Sequence, residues 1–454
     1  MRWCSESHVK FRSHKAFRMM RPWLVLLTVI LLTGCQSPVR LMPAPVVFTT
    51  GEHSPFPANQ TFEKTNQLQI FYATNRYPLG PLVSRLYTIF PVETLHLGLA
   101  SVRIGPEGKP WESLYALSTN STEGDRPVLS LESLNEIAQI ESREGTEVAS
   151  HEARSFFELI NKALAQSLDK DLTIYVHGAN TNVETAAAQA AQYRHFTGRN
   201  SVVLVFMWPS TANGLRYLTD VANTRLSVPV FVRLIELLAR HTTAEHINVL
   251  AYSAGAQIVT PGFARLGVLY KGKADNNSLR LGELYFAAPD VGFKSFVDQL
   301  PSFIGLVRRV TVSINLRDSV LWFSRLVNGV SRLGRPNPSD ISEEATNWLV
   351  NASEHLDYDM ISVQPDVLPG LGNRSHSFWY DHPWVSSDVL IKLFFHVPPS
   401  VRGLDRNTNE SGFVYWTFPP DYDARVVEIM SRLRSDRFGP APAAAVSGNS
   451  PTQP

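Results

Sequence analysis

The sequence predicts an α/β fold, with a mostly parallel central sheet and helices on both of its faces. Short apolar runs alternate with helical segments, and from the second run onward they start 26 to 45 residues apart. Such runs, rich in β-branched and aromatic residues, are typical of strands buried on both faces. The intervals leave room for the crossover helix that parallel strands require. The runs are 68–73, 172–176, 202–207, 247–251, 284–287 and 310–314.

Two of the intervening segments carry a helical pattern. Apolar side chains recur three and four residues apart within 156–164 and again within 231–239. Residues with this spacing share one face of a helix, so both segments are predicted to be helices packed on the sheet. Residues 359–363 are predicted to form a last strand. The segment 105–147 shows no clear pattern and is interpreted as an insertion.

The composition is that of a globular protein. Of 454 residues, 44% are hydrophobic and 18% are charged, which excludes a largely disordered, collagen-like or coiled-coil chain. The net charge is +1, and six basic residues and one acidic residue precede residue 35, so 36 basic and 40 acidic residues remain, or −4. A near-neutral body gives no electrostatic reason to expect a nucleic-acid partner.

The first 34 residues have the features of a secretory signal. A basic stretch runs to Arg21, residues 23–32 are apolar, and small residues precede Cys35. The apolar run is shorter than the ~20 residues of a membrane-spanning helix, which favours a signal peptide. The alternative is a short anchor helix with an incidental cysteine. Residues 32–35 also resemble the bacterial lipobox, and this resemblance implies that Cys35 is lipidated and begins the mature protein.

Cysteine usage agrees with this interpretation. Cys4 lies in the predicted signal and Cys35 is the predicted lipid site, so the folded part is expected to hold no thiol. This excludes a disulfide scaffold, a CxxC redox site and a cysteine-ligated zinc. Gln36 stands where a signal for retention in the inner membrane places Asp. Resemblance to Gram-negative lipoproteins therefore implies the outer membrane, with the protein facing the periplasm.

Composition also divides the rest of the chain. Residues 35–65 are rich in Pro, Thr, Ser and Asn and are predicted to be a tether. Residues 66–396 are predicted to form the α/β domain, and 397–438 a C-terminal extension packed on it. Residues 439–454 are small, polar and proline-rich and are predicted to be a disordered tail.

The clearest indication of catalytic chemistry lies in residues 247–258. A predicted strand runs into the sequence Ala-Tyr-Ser-Ala-Gly at 251–255, and a helix is predicted to follow. This is the context of a nucleophile elbow, Gly-x-Ser-x-Gly, with alanine in the first position. Small residues suit the tight turn, from which Ser253 would project toward N–H groups of the helix N-terminus. The alternative is a serine that only caps the helix.

A second signal is the predicted strand 172–176, which ends in His177-Gly178. A hydrolase takes the second half of its oxyanion hole from a backbone N–H in the loop after its third strand. Ala179 is the predicted donor there, alongside Ala254 after the nucleophile. His177 is interpreted as a structural residue that bonds within the loop rather than as the catalytic base.

Together these motifs resemble the α/β-hydrolase fold. More narrowly, the sequence resembles the bacterial "alpha/beta hydrolase of unknown function" group of esterase- and lipase-like proteins over about 66–395. Tyr252 departs from the His or Gln often found before this nucleophile, and Ala251 departs from the usual glycine. Further segments that carry the resemblance are 71–76, 208–210, Tyr217 with Asp220, and 287–291.

A serine nucleophile needs a base, and the base needs a carboxylate that orients it. In this fold the three follow the order serine, acid, histidine. Asp290 and Asp318 both follow predicted strands. Asp318 is favoured because it follows what should be the seventh strand, and the family resemblance implies the same. Asp290 is then interpreted as a loop-capping or site-wall residue.

The base is expected on a loop after the last strand. His376 suits that position and His382 is the alternative, whereas the remaining two histidines are assigned surface or packing roles. The aromatic residues Trp379, Tyr380 and Trp384 are expected either to wall an apolar acyl pocket or to pack this loop. The candidates after Asp318 are His355, His376, His382 and His396.

The sequence therefore predicts a lipid-anchored serine hydrolase in which Ser253 attacks an acyl carbonyl. His376 would accept and return the serine proton, and Asp318 would orient His376. Ala179 and Ala254 would hold the oxyanion. A carboxylic ester is the expected substrate, although amides and thioesters would use the same machinery. No histidines and carboxylates have metal-ligand spacing and there is no phosphate loop, so no cofactor is predicted. The rival hypothesis is a catalytically silent envelope protein that uses the fold for binding.

Overall fold

The computed structural model describes residues 38–49, 54–56, 64–120, 125–141, 150–271 and 276–438. The predicted signal, Cys35 and the predicted tail lie outside these residues. Within the described ranges, no helix is both long enough and apolar enough to cross a membrane.

One sheet of eleven strands runs through the described part of the chain. The strands are β1 (Gln67–Leu79), β2 (Leu86–Ile104), β3 (Leu129–Glu141), β4 (Leu172–Val176), β5 (Val202–Phe206), β6 (Ile247–Tyr252), β7 (Leu281–Ala287), β8 (Arg309–Ile314), β9 (Tyr358–Ser362), β10 (Asp405–Thr408) and β11 (Val414–Thr417). Their order across the sheet is β10-β11-β9-β8-β7-β6-β4-β5-β1-β2-β3. Three neighbouring pairs are antiparallel, β1 with β2, β2 with β3, and β10 with β11, and the other seven pairs are parallel. The sheet is therefore mostly parallel, as predicted.

Helices cover both faces of this sheet. They are α1 (Trp111–Thr119), α2 (His151–Gln166), α3 (Val183–Phe196), α4 (Tyr217–His241), α5 (Ala256–Tyr270), α6 (Phe293–Phe303), α7 (Ser319–Asn328), α8 (Glu343–His355), α9 (Phe378–Asp381), α10 (Pro383–Phe395) and α11 (Tyr422–Phe438). Helices α2, α4, α5, α6 and α8 build the core of one face. Helices α1, α3 and α9 to α11 build the core of the other.

Every predicted strand is found in the sheet. Strands β4 to β9 are buried along almost their whole length because helices pack on both sides of them. The two segments with helical periodicity lie in α2 and α4. The predicted α/β fold, with helices on both faces of a mostly parallel sheet, is confirmed.

Two parts of the chain are more ordered than their sequence indicates. Within 105–147, residues 129–141 form β3, which pairs with the long strand β2 at one edge of the sheet. Within the segment predicted as a tether, Leu41, Met42 and Val47 are almost inaccessible to solvent. This segment packs on the face of α3, α10 and α11. Its apolar side chains are interrupted by prolines, so they show no regular period.

The N-terminal segment joins the sheet at a defined edge. Leu41 N donates to Pro127 O, and Leu129 N donates to Val39 O. Strand β3 begins at Leu129, beside the end of β2 and the start of β1. Since β1 is parallel to β5, this is the edge at which the parallel strands begin. At the opposite side of the sheet, β10 and β11 of the C-terminal extension add to β9.

Candidate active site

Ser253 lies in a strained turn between β6 and α5. Its φ is 51°, a conformation that is uncommon for any residue except glycine. The turn is tight enough to require glycine at position 255, where a Cβ would lie 2.5 Å from Val176 O of the neighbouring strand. The local structure is therefore the strand, sharp turn and helix that the small residues predicted, and it fixes the direction of the serine side chain.

The structure brings Ser253, His376 and Asp318 together at the carboxyl edge of the sheet. Ser253 Oγ lies 2.8 Å from His376 Nε2, and His376 Nδ1 lies 2.6 Å from Asp318 Oδ2. Asp318 is completely buried and Ser253 is 6% exposed. In the neutral imidazole, Nδ1–H donates to the carboxylate, which leaves Nε2 free to accept the serine proton.

Asp318 is held by the helix that follows it. Its Oδ1 accepts the backbone N–H groups of Val320 and Leu321, so the residue caps α7. The other oxygen, Oδ2, is left for His376. The histidine loop is tied to the same strand end, because Asn315 Nδ2 donates to Ser375 O at 2.9 Å. Acid and base are thus fixed relative to each other by hydrogen bonds between side chains and the backbone.

The loop after β4 lies against the nucleophile. A Cβ at Gly178 would lie 3.0 Å from Ser253 Cβ, so no larger residue fits without a shift. Ala179 follows in this loop, as predicted, and Ala254 adjoins Ser253 on the other side. The two backbone N–H groups proposed for an oxyanion therefore belong to segments that pack against each other at the serine.

The sequence did not reveal what holds this loop. Buried Asp220 accepts hydrogen bonds from Asn180 N at 2.9 Å, from Thr211 N at 2.7 Å and from Ser210 Oγ at 2.9 Å. Asp220 appeared only in the family resemblance, without a role. Its one local signal is a carboxylate on the buried side of a helix, and the two loops that it joins lie 9 to 10 and 40 residues before it along the chain.

His177 is a buried part of the scaffold. Its Nδ1 donates to Gly178 O at 2.8 Å, and its ring stacks on Trp208 with centroids 5.1 Å apart. Burial, together with the positive charge of Arg76, lowers the pKa of His177 to about 3. His177 is therefore neutral near pH 7, and its contacts are those of the loop-bonding role that the sequence indicated.

Asp290, the alternative acid, is engaged elsewhere. Its carboxylate lies 2.5 Å from Arg332 Nε, and it accepts the hydroxyls of Ser324 at 2.6 Å and Tyr217 at 2.7 Å. Its backbone N–H donates to Ser253 O at 2.9 Å. Burial, with the charge of Asp290, raises the pKa of Tyr217 to about 12, which keeps its hydroxyl a donor. Asp290 braces the wall of the site and does not contact the base in this arrangement.

The other histidines and the nearby aromatics are also accounted for. His382 caps α10, with Nδ1 accepting from Trp384 N and Nε2 donating to Pro369 O. His355 is exposed beside Glu354. Trp379 and Trp384 are buried in the core of the α10 face rather than lining an open pocket.

Within the described residues, one group has the geometry to hold a metal ion. Potential ligand atoms of Asp171, His246 and His396 lie within 4.8 Å of one another. The group lies where β4 and β6 begin, at the edge of the sheet opposite Ser253. His396 also lies 3.4 Å from Glu283, which pairs with buried Lys392. With an ammonium group beside the carboxylates, the cluster is arranged as an ion-pair network.

Comparison with known proteins gives one family. Residues 152–366 match the family model described as alpha/beta hydrolase of unknown function (DUF900). The matched segment spans β4 to β9 and holds Ser253 and Asp318, whereas His376 follows it. No curated protein and no solved structure shows a significant match to the chain. This segment is similar to a family of α/β hydrolases whose function is unknown, and the fold of the chain agrees with that description.

Proposed function

We propose that the protein is a serine hydrolase that cleaves a carboxylic ester through an acyl-enzyme intermediate. The observation that carries the proposal is the hydrogen-bonded series Asp318–His376–Ser253, with 2.6 Å and 2.8 Å between its polar atoms. The strained φ of Ser253 supports the same reading, because strain of this kind clusters at active sites.

The proposed mechanism assigns one task to each residue. As Ser253 Oγ attacks the acyl carbonyl carbon, His376 Nε2 takes its proton, and Asp318 stabilises the imidazolium that forms. The N–H groups of Ala179 and Ala254 bind the oxyanion of the tetrahedral intermediate. When this collapses, the C–O bond to the leaving alcohol breaks and His376 protonates that alcohol. Water then attacks the acyl-serine through the same steps, which releases the carboxylic acid product and regenerates Ser253.

Esters are proposed ahead of amides because an alcohol leaves a tetrahedral intermediate more readily than an amine does. Thioesters would be cleaved by the same groups. The rival hypothesis, a silent protein that uses the fold for binding, gives no reason for a strained serine that is hydrogen-bonded to a histidine–carboxylate pair.

A fluorophosphonate probe separates the two hypotheses. It reacts covalently with an activated serine, so we expect labelling of the wild-type chain and none of Ser253→Ala. The matched control is Ser295→Ala, an exposed serine on α6, which should be labelled like wild type. A folded wild-type protein that takes no label would favour the silent binding protein.

We further propose that Cys35 carries a lipid that anchors the protein in the outer membrane, facing the periplasm. The support is the lipobox-like sequence at 32–35 and Gln36 after it. Cys35→Ala should abolish acylation and move the protein out of the membrane fraction. If metabolic labelling with a fatty acid and the fractionation are both unchanged in Cys35→Ala, the assignment is wrong.

A further inference from the structure

Helix α7, which begins directly after Asp318, carries most of its apolar side chains on the solvent side, with Leu321 the buried exception. Trp322, Phe323 and Leu326 are 50%, 56% and 62% exposed, whereas Ser324 between them is 2% exposed. The side that faces the protein holds Leu321 and Ser324, and Ser324 Oγ donates to Asp290. A surface helix of a water-soluble domain ordinarily has the opposite arrangement.

In the first turns of α4, too, apolar side chains are exposed and polar side chains are buried. The polar side chains of Asp220, Asn223 and Ser227 are buried, while Leu218 and Leu226, eight residues apart on one side of the helix, are exposed. Helices α4 and α7 are joined on their polar sides, because Tyr217 Oη lies 3.0 Å from Ser324 Oγ.

The turn between β1 and β2 adds a third apolar segment. Leu82, Val83, Leu86 and Phe90 are all exposed large hydrophobic residues. This hairpin contacts α4, since Asn223 Nδ2 donates to Ile89 O at 3.3 Å. The segments 77–90, 214–228 and 316–330 therefore adjoin one another, and we call them the apolar rim.

The apolar rim belongs to the edge of the sheet that bears the site. Asp318 lies within it, and Asp290, which binds Ser324 of the rim, also donates its N–H to Ser253 O. An apolar patch of this kind on a soluble protein marks a surface for binding rather than for exposure to water. A docked partner would thus lie next to the proposed nucleophile.

The charges of the rim indicate what that partner is. Its exposed ionic side chains are Arg216, Arg225 and Arg325, together with Arg317, which pairs with exposed Asp366 outside the rim. The rim segments, all of them described, contain two acids, Asp220 and Asp318, and both are buried. Apolar side chains with arginines, and with no exposed carboxylate within the rim segments themselves, complement the surface of a bilayer that contains anionic lipids. A second copy of the chain would instead bring arginines against arginines.

We propose that the apolar rim docks on an anionic lipid surface and that the ester cleaved at Ser253 is an acyl lipid taken from that surface. The second part rests on the proposed hydrolase function, whereas the docking itself does not. Trp322, Phe323 and the hairpin residues insert between the lipids, and the arginines contact the anionic headgroups.

Binding is tested with a chain that begins at residue 36, which lacks the lipid site and keeps every described residue. The chain carries Ser253→Ala, so that turnover cannot alter the vesicles. We measure co-sedimentation with phosphatidylcholine vesicles that contain phosphatidylglycerol or lack it. Combining Trp322→Ser with Phe323→Ser should weaken binding about tenfold or more. Arg216→Gln and Arg325→Gln should each weaken it about fivefold, and only on anionic vesicles.

The matched control is Val268→Ser, which removes an exposed apolar residue of α5 outside the rim and should bind like the parent chain. Far-ultraviolet circular dichroism and thermal unfolding establish that each variant is folded. If the chain with both Trp322→Ser and Phe323→Ser fails to fold, the two arginine variants test the proposal. Vesicle binding that is absent, or equally strong in the rim variants, overturns the proposal. So does a concentration-dependent dimer that Trp322→Ser abolishes, because a second copy then covers the rim.

The substrate is tested separately with the active chain. A long-chain ester placed in anionic vesicles should be cleaved in proportion to the fraction of protein bound. If a soluble short-chain ester is cleaved while the ester in bound vesicles is not, the rim docks on lipid but the substrate assignment is wrong. If the probe does not label Ser253 and the rim variants still lose vesicle binding, the hydrolase function fails and the docking stands.

Discussion

At the scale of single residues, the two candidate acids differ in what their carboxylates bind. Asp318 divides its oxygens between the N–H groups that begin α7 and the imidazole of His376. Asp290 is committed to Arg332 and to two hydroxyls. One carboxylate is therefore available to a base, while the other completes a buried ion pair. This difference gives each acid a separate experimental signature.

Asp318→Asn should lower kcat on an activated ester by a factor on the order of 10⁴, the loss typical of serine proteases that lose this carboxylate. The fold should persist, since asparagine caps a helix about as well as aspartate does. Asp290→Asn should retain far more activity but unfold at lower denaturant, because breaking a buried ion pair costs about 3–5 kcal/mol. The assignment of the acid is wrong if Asp290→Asn is the inactive variant and Asp318→Asn is active.

His177 makes the stability depend on pH in a predictable direction. Its pKa is about 3 in the folded state and about 6.5 when unfolded, so below pH 6.5 only the unfolded chain takes up this proton. The contribution of the neutral His177 ring to the free energy of unfolding is fully present above pH 6.5 and is lost as the pH falls toward 3. We expect this group to lower the free energy of unfolding by about 1.4 kcal/mol for each pH unit.

His177→Gln removes the imidazole that takes up a proton on unfolding, and it keeps a polar side chain at this position. Urea unfolding at pH 6, 5 and 4 should therefore show a shallower loss of stability in the variant than in wild type, by about 1.4 kcal/mol for each pH unit. Parallel pH profiles would mean that His177 is protonated in the folded protein, contrary to its burial against Trp208.

The residues of the site could be predicted from the sequence to different degrees. Ser253 and Asp318 closely follow strands, and His376 lies in the loop region after β9, so the order of strands indicated all three. The neighbouring small residues further indicated Ser253. Asp220 could not be assigned a role, because its three partners lie in loops that meet it only in the folded sheet. Local motifs reveal groups at strand ends, whereas the groups that hold those motifs depend on tertiary contacts.

At the scale of secondary structure elements, the turn between β6 and α5 depends on one glycine. A Cβ at Gly255 would lie 2.5 Å from Val176 O and 2.9 Å from His177 O, both backbone atoms of the neighbouring strand. Gly255→Ala should therefore displace the turn, lower the free energy of unfolding by about 1–3 kcal/mol and reduce probe labelling of Ser253.

Gly214→Ala is the matched control, because a Cβ there has no heavy atom within 4 Å. It should change neither the unfolding midpoint nor the labelling rate. Equal behaviour of the two variants would show that the close approach of β4 to the turn is not what holds the serine in place.

The elements that the sequence failed to predict share a physical cause. Strand β2 is exposed or partly exposed over its first nine residues and alternates between buried and partly exposed residues over 98–104, near the edge of the sheet. A period of two is a weaker signal than the continuous apolar runs of the buried parallel strands. Residues 41–48 bury their apolar side chains without forming a long helix or strand, so they carry no period at all.

At the scale of the whole molecule, the chain enters the domain far from the proposed site. Val39 and Leu41 bond to the segment that begins β3, at the edge where the parallel strands start. Ser253, Asp318 and the apolar rim lie where the parallel strands end, about 20 Å away along a six-residue strand. The first described residues of the chain and the lipid-docking surface proposed for the rim are therefore at opposite edges of the sheet.

This separation predicts that anchoring and catalysis are independent. Cys35→Ala should cleave a soluble short-chain ester with the same kcat/KM as the lipidated protein in detergent, because three residues of chain span at most about 11 Å. Such a reach does not bring position 35 to the other edge of the sheet. Steady-state kinetics on both purified forms provide the measurement. A loss of more than about tenfold in the unacylated form, equivalent to about 1.4 kcal/mol, would mean that the N-terminal lipid acts on the site.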